Sequence, residues 1–172
     1  MTDQDHDGSH IKGLLINMMH HWWPSLCQLN GFLKEFVTPI VKVTNASNPA
    51  RVVEFFTMTE YEQWKTTNND GKGWKAKYYK GLGTSTAKEA REYFSNVEKH
   101  RIAFSWRSDE DGESIDMAFN KKRADDRKEW INNYEDGVCV DHRVKTLRYC
   151  DFINKELVQF SKYDVMRSIP SV

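Results

Sequence analysis

Cysteine is scarce in this sequence, and long apolar runs are absent. The three cysteines, Cys27, Cys139 and Cys150, are odd in number and include no C-x-x-C pair. This argues against a disulfide framework and a cysteine-based zinc site, and it makes a reducing compartment the default expectation. No apolar run approaches the roughly 20 residues of a membrane span, and no signal-peptide pattern is recognisable, so no membrane partner is expected.

Charge imbalance is lacking as well. Lys and Arg together number 25, as do Asp and Glu, so no overall field attracts nucleic acid and any DNA contact must use local patches. What the chain does contain is aromatic core material, with six tryptophans, seven tyrosines and nine phenylalanines in 172 residues. This length predicts one domain with part of a second, and it suffices for a sizeable core.

Three aspartates at alternate positions, Asp3, Asp5 and Asp7, open the chain and are followed at once by Gly8. In an extended segment their side chains point the same way, about 6–7 Å apart, and three ionised carboxylates on one edge repel each other. A divalent cation would neutralise them, and oxygen-only ligands suit a hard ion such as Mg²⁺ or Ca²⁺. The pattern therefore predicts a metal site.

The acidic stretch has two other interpretations. An EF-hand loop also begins D-x-D-x-D-G, but its twelfth position requires a bidentate Glu, and the residue there is Leu14. The next acidic residue after Asp7 is Glu35, which is far too late. The plainer alternative is a solvated acidic loop that caps the following helix, with Ser9 or Asp7 as the N-cap.

Hydrophobic periodicity predicts the elements that surround this site. A helix over 10–23 is expected to back the acidic edge and to bury one apolar face, made of Ile11, Leu14, Leu15, Met18, Met19 and Trp22. Strands over 32–44 and 51–57 are expected to pair. A helix over 86–100 is expected to bury Ala87, Ala90, Tyr93, Phe94 and Val97. A last helix over 151–161 has Phe152, Ile153, Leu157 and Phe160 on one side.

Two further segments are predicted to be exposed. The acidic run over 109–116 lacks the glycine and the ligand spacing of a metal loop, and it is interpreted as a solvated turn with a helix start. Residues 135–144 have mixed charge and few large apolar side chains, so they are interpreted as an exposed linker.

A basic strand and a glycine loop form a second candidate site. The strand expected over 74–80 alternates an aromatic face with a basic one, and this region carries Lys72, Lys75, Lys77 and Lys80. Gly81 and Gly83 follow, and a helix begins directly after them with a Thr86–Glu89 capping box. A glycine loop at a helix N-terminus can bind an anion, whereas K-G-L-G is not a Walker A loop. We interpret it as a DNA-backbone or site-shaping loop; a solvated strand face is the plain alternative.

Four stretches resemble, in family order, parts of eukaryotic-type DNA topoisomerase II. The first, MTDQDHDGSHIKGLL, has the spacing of the Asp-rich motif of the TOPRIM fold. The others are KYYKGLGTST from Lys77, DFINKELV from Asp151 and RSIPS from Arg167. Because these matches run from residue 1 to residue 171, the resemblance covers essentially the whole chain.

The resemblance implies an α/β fold class, with a partial TOPRIM (Rossmann-like) domain followed by a mainly helical connecting region. The implied parts are the C-terminal part of the TOPRIM domain over 1–106, a helical and linker region over 107–150, and the start of the winged-helix DNA-cleavage domain over 151–172. Asp3 and Asp5 become the expected Mg²⁺ ligands, supported by Asp7, and Mn²⁺ or Ca²⁺ could substitute in binding. The implied DNA contacts are Lys77, Lys80, Gly81 and Gly83, of which Lys80 is the leading phosphate contact.

The whole enzyme implied by this resemblance is a nuclear, ATP-dependent homodimer that breaks one DNA duplex, passes another and reseals the first. The family's catalytic tyrosine, TOPRIM glutamate and ATPase domain have no counterpart in these residues, so the fragment alone is expected to be inactive. Two alternatives stay open: another TOPRIM enzyme, either a primase or a nuclease, and a non-catalytic DNA-binding fragment. The KYYKGLGTST and RSIPS matches argue against the first, and zero net charge disfavours strong DNA binding.

Overall fold

The computed structural model of the chain describes residues 2, 5–79, 81–135, 137–138 and 140–169, with only the backbone at Leu82. Its α-helices are α1 His6–Trp22, α2 Pro24–Cys27, α3 Met58–Thr67, α4 Ala87–Ser95, α5 Asp109–Phe119, α6 Ala124–Asn132, α7 Tyr149–Phe152 and α8 Val158–Ser168. A π-helical turn, Ile153–Leu157, joins α7 to α8. The strands are β1 Lys34–Phe36, β2 Val41–Asn45, β3 Val52–Phe55, β4 Trp74–Tyr78, β5 Arg101–Ser105 and β6 Thr146–Arg148. This mixture of helices and small sheets confirms the predicted α/β class.

These elements fall into two compact units. Phe36–Arg101 contains α3, α4 and the sheet β3-β2-β4, and we call it the strand-rich unit. Residues 5–35 and 102–169 contain the other helices and nearly all of the sheet β1-β5-β6, and we call them the helical unit. The predicted division at residues 106 and 150 stays a prediction. Among the described helices, none combines the length and apolar character needed to cross a membrane.

The sheet of the strand-rich unit is antiparallel, with β2 in the centre. Val43 lies opposite Val53 of β3 and Ala76 of β4, so the predicted pairing of the two strands around the turn at 46–50 is confirmed. Because side chains alternate across a strand, β2 presents valines to one face and Lys42 to the other. The valine face packs under α3 in a core made of Val41, Val43, Phe55 and Tyr61, with Trp64 and Trp74 partly buried against it.

Helix α4 is associated with the opposite face of this sheet through Tyr93, which is buried as predicted. The Lys42 ammonium lies 4.7 Å from the Tyr93 ring centroid and 2.8 Å from Glu54. The predicted burial of Ala87, Phe94 and Val97 is wrong: Ala87 and Val97 are exposed and Phe94 is 57% exposed, whereas Ala90 is half-buried. The helix ends at Ser95, so the helical spacing on which the Val97 prediction depended does not extend that far, and Phe94 stacks on Phe36 near the surface.

The helical unit has its core around the C-terminal helices. The predicted burial of Phe152, Ile153, Leu157 and Phe160 is confirmed. The β5 residue Phe104 stacks on Tyr149 at 5.1 Å and meets Phe152 edge-on at 5.9 Å. β5 and β6 pair in parallel, with Phe104 opposite Leu147. Aromatic pairs of this kind add specific geometry to the burial of apolar area.

Helix α1 buries a face other than the predicted one. The apolar residues Ile11, Leu14, Leu15, Met18 and Trp22 are exposed, with Leu15 at 56%, whereas Ile16 is 3% exposed. Gly13 is also buried, and a Cβ atom built there would lie 2.9 Å from Phe119 and 3.2 Å from Leu157. The face of α1 that packs against the rest of the helical unit is therefore the one that carries Gly13 and Ile16, where close approach is possible, and not the one that apolar periodicity predicted.

Both segments predicted to be exposed contain buried residues. The acidic run at 109–116 lies in α5, where Asp111 is fully buried. In the segment 135–144, Val140 is buried and the His142 side chain is 10% exposed, so this part of the chain is not simply an exposed linker. Part of the contacts that bury these residues comes from segments distant in sequence: Asp111 is contacted by Arg148 and Cys150, and His142 by Glu156.

Candidate metal-binding turn and glycine loop

The acidic turn, which comprises Asp3, Asp5 and Asp7, leads directly into α1. Asp5 is the N-cap: its backbone is extended (φ −125°, ψ −178°) and its Oδ1 accepts a hydrogen bond from the Gly8 backbone N–H at 2.9 Å. The predicted caps, Ser9 and Asp7, do not have this role. Asp3 lies outside the described residues.

Asp7 belongs to the first turn of α1, so the expectation that the backbone is extended as far as Asp7 is wrong. Its Oδ1 lies 3.4 Å from a guanidinium nitrogen of Arg167, which is also 2.9 Å from Asp164. Carboxylates near a helix N-terminus are stabilised by the unpaired backbone N–H groups. The helix N-terminus and Arg167 therefore offset part of the negative charge of these carboxylates, which was expected to require a cation.

The donors in the turn fit Mg²⁺ in kind. Asp5 and Asp7 are both exposed and offer only oxygen atoms, which are the ligands that Mg²⁺ prefers. One oxygen of Asp5 is used by the cap, and among the described residues none donates a hydrogen bond to its other oxygen. Two carboxylates are a usual protein share of a Mg²⁺ site, in which water and substrate phosphates complete the coordination.

The glycine loop, Gly81–Thr86, is held by a single carboxylate. The capping box predicted at Thr86 and Glu89 is confirmed: the Thr86 backbone N–H and hydroxyl donate to Glu89 at 2.7 and 2.8 Å. The Tyr79 hydroxyl also donates to Glu89, and Lys77 Nζ lies 3.1 Å from it. Burial opposes the charge of this carboxyl, but the hydrogen bonds from Tyr79, Thr86 and Lys77 outweigh that effect and lower its pKa to about 2.

The loop itself leaves room for a ligand. Leu82–Thr84 forms a 3-10 turn in which the Thr84 hydroxyl donates to the Gly81 carbonyl at 2.8 Å. A Cβ built at Gly83 would meet nothing within 4 Å, so the chain's own packing does not require a glycine at this position. Gly81 is buried. Lys80 lies outside the described residues.

The lysines beside the loop differ in whether their ammonium groups are already paired with a carboxylate. Lys77 is paired with Glu89 and lies 4.5 Å from the Tyr79 ring centroid. Lys72 and Lys75 are exposed, and within the described ranges neither forms an ion pair. These two ammonium groups are therefore available to an external anion, whereas Lys77 would have to share its charge.

Sequence reasoning missed a buried carboxylate, Asp111. It accepts hydrogen bonds from the backbone N–H groups of Arg107, Ser108 and Cys150 at 2.9, 3.2 and 3.0 Å, and from the Arg148 guanidinium at 3.2 Å. Burial opposes its charge, but these donors outweigh burial and lower the pKa. Ser108 followed three residues later by Asp111 was the available signal, because this spacing is typical of a helix start.

A buried charged cluster was missed as well. It brings Lys12, Glu35, His142 and Glu156 together in the helical unit. These four residues come from widely separated positions and share no local motif, so the sequence carried no signal for them.

Comparison with known proteins identifies the family. A family model described as the C-terminal associated domain of TOPRIM matches residues 36–165. The chain belongs to this family.

Its curated relatives extend the resemblance over the full length of the chain. It is 60% identical to the DNA topoisomerase 2 of Plasmodium falciparum over 172 residues, 54% identical to that of Arabidopsis thaliana and 51% identical to that of Saccharomyces cerevisiae. Each match covers 100% of this chain and 12% of the relative, so the chain spans about an eighth of their length.

A solved structure agrees with the TOPRIM-associated assignment. The crystal structure of the Plasmodium falciparum topoisomerase II DNA-binding, cleavage and re-ligation domain superposes with a TM-score of 0.89 at 60% identity, covering 100% of this chain and 23% of that one. The predicted resemblance to eukaryotic-type DNA topoisomerase II is confirmed.

Proposed function

We propose that this chain is part of an ATP-dependent type IIA DNA topoisomerase, in which it supplies Mg²⁺-binding carboxylates and contacts to double-stranded DNA. The observation that carries the proposal is the similarity of the whole chain, in sequence and in structure, to a topoisomerase II DNA-binding, cleavage and re-ligation domain. The complete protein would act as a nuclear homodimer. ATP would be hydrolysed by a domain outside these residues.

The metal would be held by Asp3, Asp5 and Asp7. When bound, Mg²⁺ supplies positive charge that stabilises phosphate oxygens during strand cleavage and resealing. The chain's own contribution is positional: Asp5 is fixed by its hydrogen bond to Gly8, and Asp7 by its ion pair with Arg167. Mn²⁺ or Ca²⁺ would compete for the same oxygens.

The DNA backbone would contact Gly81 and Gly83 of the glycine loop and the two lysines that precede the loop, Lys77 and Lys80. The open space at Gly83 lets a phosphate approach the backbone, and the N-terminus of α4 directly after the loop favours an anion. Glu89 holds Lys77 beside Tyr79, which fixes the position of the lysine at the cost of part of its net charge. The neighbouring Lys72 and Lys75 add positive charge that is not paired with any residue the structure describes.

A chimaeric enzyme tests the proposal. The matching segment of Saccharomyces cerevisiae DNA topoisomerase 2 would be replaced by this chain, and relaxation of supercoiled plasmid with ATP and Mg²⁺ would be measured. The variant Asp5→Asn keeps an N-cap oxygen, because Asn caps as well as Asp, and removes only the charge. We expect activity in the chimaera and a loss of about 10²-fold or more in the variant, the range for removal of a charge-stabilising group.

The matched control is Asp70→Asn, at an exposed position with φ 54°, which Asn tolerates. This variant should retain the activity of the chimaera. An active chimaera in which Asp5→Asn changes nothing would reject the metal role of Asp5. A folded chimaera without activity would reject the proposal that this chain serves as that part of a topoisomerase.

A further inference from the structure

The buried charged cluster contains two carboxylates that are each only half satisfied. On one side, Lys12 Nζ lies 2.8 Å from Glu35 Oε2 and 2.7 Å from Glu156 Oε1. Ser9 donates its hydroxyl hydrogen to the same Glu156 oxygen at 2.7 Å. The second oxygens, Glu35 Oε1 and Glu156 Oε2, are buried and accept no hydrogen bond from any residue that the structure describes. Leaving a buried carboxylate oxygen unpaired is costly.

Both unpaired oxygens face one imidazole nitrogen. His142 Nε2 lies 3.5 Å from Glu156 Oε2 and 4.0 Å from Glu35 Oε1, farther than the 2.7–3.2 Å of an ordinary N–H···O hydrogen bond. The side chains of Glu35 and His142 are only 8% and 10% exposed. The other ring nitrogen, Nδ1, is also buried without a partner among the described residues, so no hydrogen bond fixes the tautomer and Nε2 can present its lone pair.

The spacing of these three atoms suits a bound ion. One ligand atom from each of Glu35, His142 and Glu156 lies within 4.8 Å of the other two. Zn²⁺ binds imidazole nitrogen and carboxylate oxygen at about 2.0–2.2 Å, which places the ligand atoms of a tetrahedral site roughly 3.5 Å apart. A small contraction of the cluster would reach that geometry. We propose that Glu35, His142 and Glu156 bind one divalent transition-metal ion of the Zn²⁺ type.

The surroundings supply what such ligands need. Lys12 and Ser9 bind oxygens that face away from the proposed ion, and outer hydrogen bonds of this kind orient ligating carboxylates. Burial opposes the charge of Glu156, but Lys12 and His142 outweigh it and lower its pKa, which favours the ionised form that a ligand requires. Burial works against protonation of His142, yet Glu156 and Glu35 outweigh it and raise its pKa, so a proton and the metal compete for Nε2.

This site is separate from the acidic turn in its chemistry. The turn offers only oxygen donors and suits Mg²⁺, whereas an imidazole with two carboxylates selects a transition ion. The inference therefore does not depend on the proposed function, and it can be tested with Zn²⁺ in the absence of Mg²⁺.

Calorimetric titration of the whole chain with Zn²⁺, in buffer without Mg²⁺, is the direct experiment. We expect one saturable equivalent, weakened about tenfold or more in both His142→Gln and Glu35→Gln, since even outer-shell changes cost 10–100-fold. The control His21→Gln should bind as the original chain does. Asp5→Asn reports on the acidic turn: if it abolishes Zn²⁺ binding while His142→Gln does not, the ion sits in the turn and the proposal is wrong.

Proton release provides a second measurement that needs no variant. Titrations near pH 6.5 in two buffers of different ionisation enthalpy should show net proton release when Zn²⁺ binds, because the metal displaces the proton from those molecules in which His142 is protonated. The proposal is overturned if a chain shown to be folded by circular dichroism binds no Zn²⁺, or binds it without releasing a proton. The cluster would then be an ion network closed by protonated His142.

Discussion

At the scale of single residues, Asp111 shows how a carboxylate can be buried without a metal. Its four donors come from the start of α5 and from the Arg148–Cys150 segment, so one side chain ties a helix to β6 and α7. We predict that Asp111→Ala lowers the free energy of unfolding by about 3 kcal/mol, because it leaves three buried N–H groups without their acceptor and leaves Arg148 with only Glu110 and Ser108. The exposed neighbour Asp109 is the control, and Asp109→Ala should cost less than about 1 kcal/mol in urea denaturation.

The same residue predicts an acid-sensitive component of stability. Its pKa is lowered in the folded state, so its contribution is fully present above the unfolded value of about 3.9 and is lost as the pH falls through the folded value. The difference in unfolding free energy between the original chain and Asp111→Asn should therefore shrink as the pH is lowered from 5 to 2. A difference that stayed constant over this window would mean that the charge of Asp111 contributes nothing.

At the scale of elements, α1 allows a comparison of two adjacent apolar residues. We predict that Leu15→Ser changes the unfolding free energy by less than about 0.5 kcal/mol, since Leu15 is exposed, whereas Ile16→Ala costs about 2–4 kcal/mol. Gly13→Ala should cost about 1–3 kcal/mol, because its methyl group would press on Phe119 and Leu157. Thermal denaturation of the three variants measures these changes in unfolding free energy. Equal losses at Leu15 and Ile16 would mean that α1 buries the face that periodicity predicted.

The start of α4 predicts a second pH dependence. Glu89→Gln keeps a capping side chain but removes the charge that accepts from Tyr79, Thr86 and Lys77. Since the folded pKa of Glu89 is about 2, its contribution should be complete above about pH 4.5 and disappear as the pH approaches 2. We expect the variant to be less stable by about 1 kcal/mol at pH 7 and no less stable near pH 2. Guanidinium unfolding at both pH values measures this.

At the scale of the whole molecule, balanced charge limits what the basic strand can do. We predict weak binding of duplex DNA by this chain, with a log–log salt slope of about −2 to −3, because each phosphate contact contributes about −0.9. Lys75→Ala should reduce the magnitude of the slope by about 0.9, the contribution of one phosphate contact, whereas Lys121→Ala in the helical unit should leave the slope unchanged. Fluorescence anisotropy with labelled DNA over a salt series gives both slopes. An unchanged slope in Lys75→Ala would mean that the basic strand does not contact DNA.

Local chemistry explains which features could be predicted from the sequence. The Thr86–Glu89 capping box, the pairing of β2 with β3 and the buried face around Phe152 depend on neighbours along the chain or on simple alternation. The buried face of α1 could not be predicted, because it depends on packing at Gly13, where Phe119 and Leu157 leave no room for a Cβ atom. The charged cluster could not be predicted either, because Lys12 and Glu156 lie 144 positions apart in the sequence and meet only once the helices pack. The roles of Asp3 and Lys80 stay predictions.

The π-helical turn at Ile153–Leu157 contains one more residue than an α-helical turn, and such turns are often found at functional sites. Each residue of an α-helix turns the chain by about 100°. Deleting one residue from this turn would therefore rotate all of α8 by roughly that angle. Phe160 would leave its stack on His10, and Arg167 would swing away from Asp7. The charge balance at the acidic turn thus depends on the length of a segment about 150 positions away in the sequence, which makes a one-residue deletion there more disruptive than most substitutions.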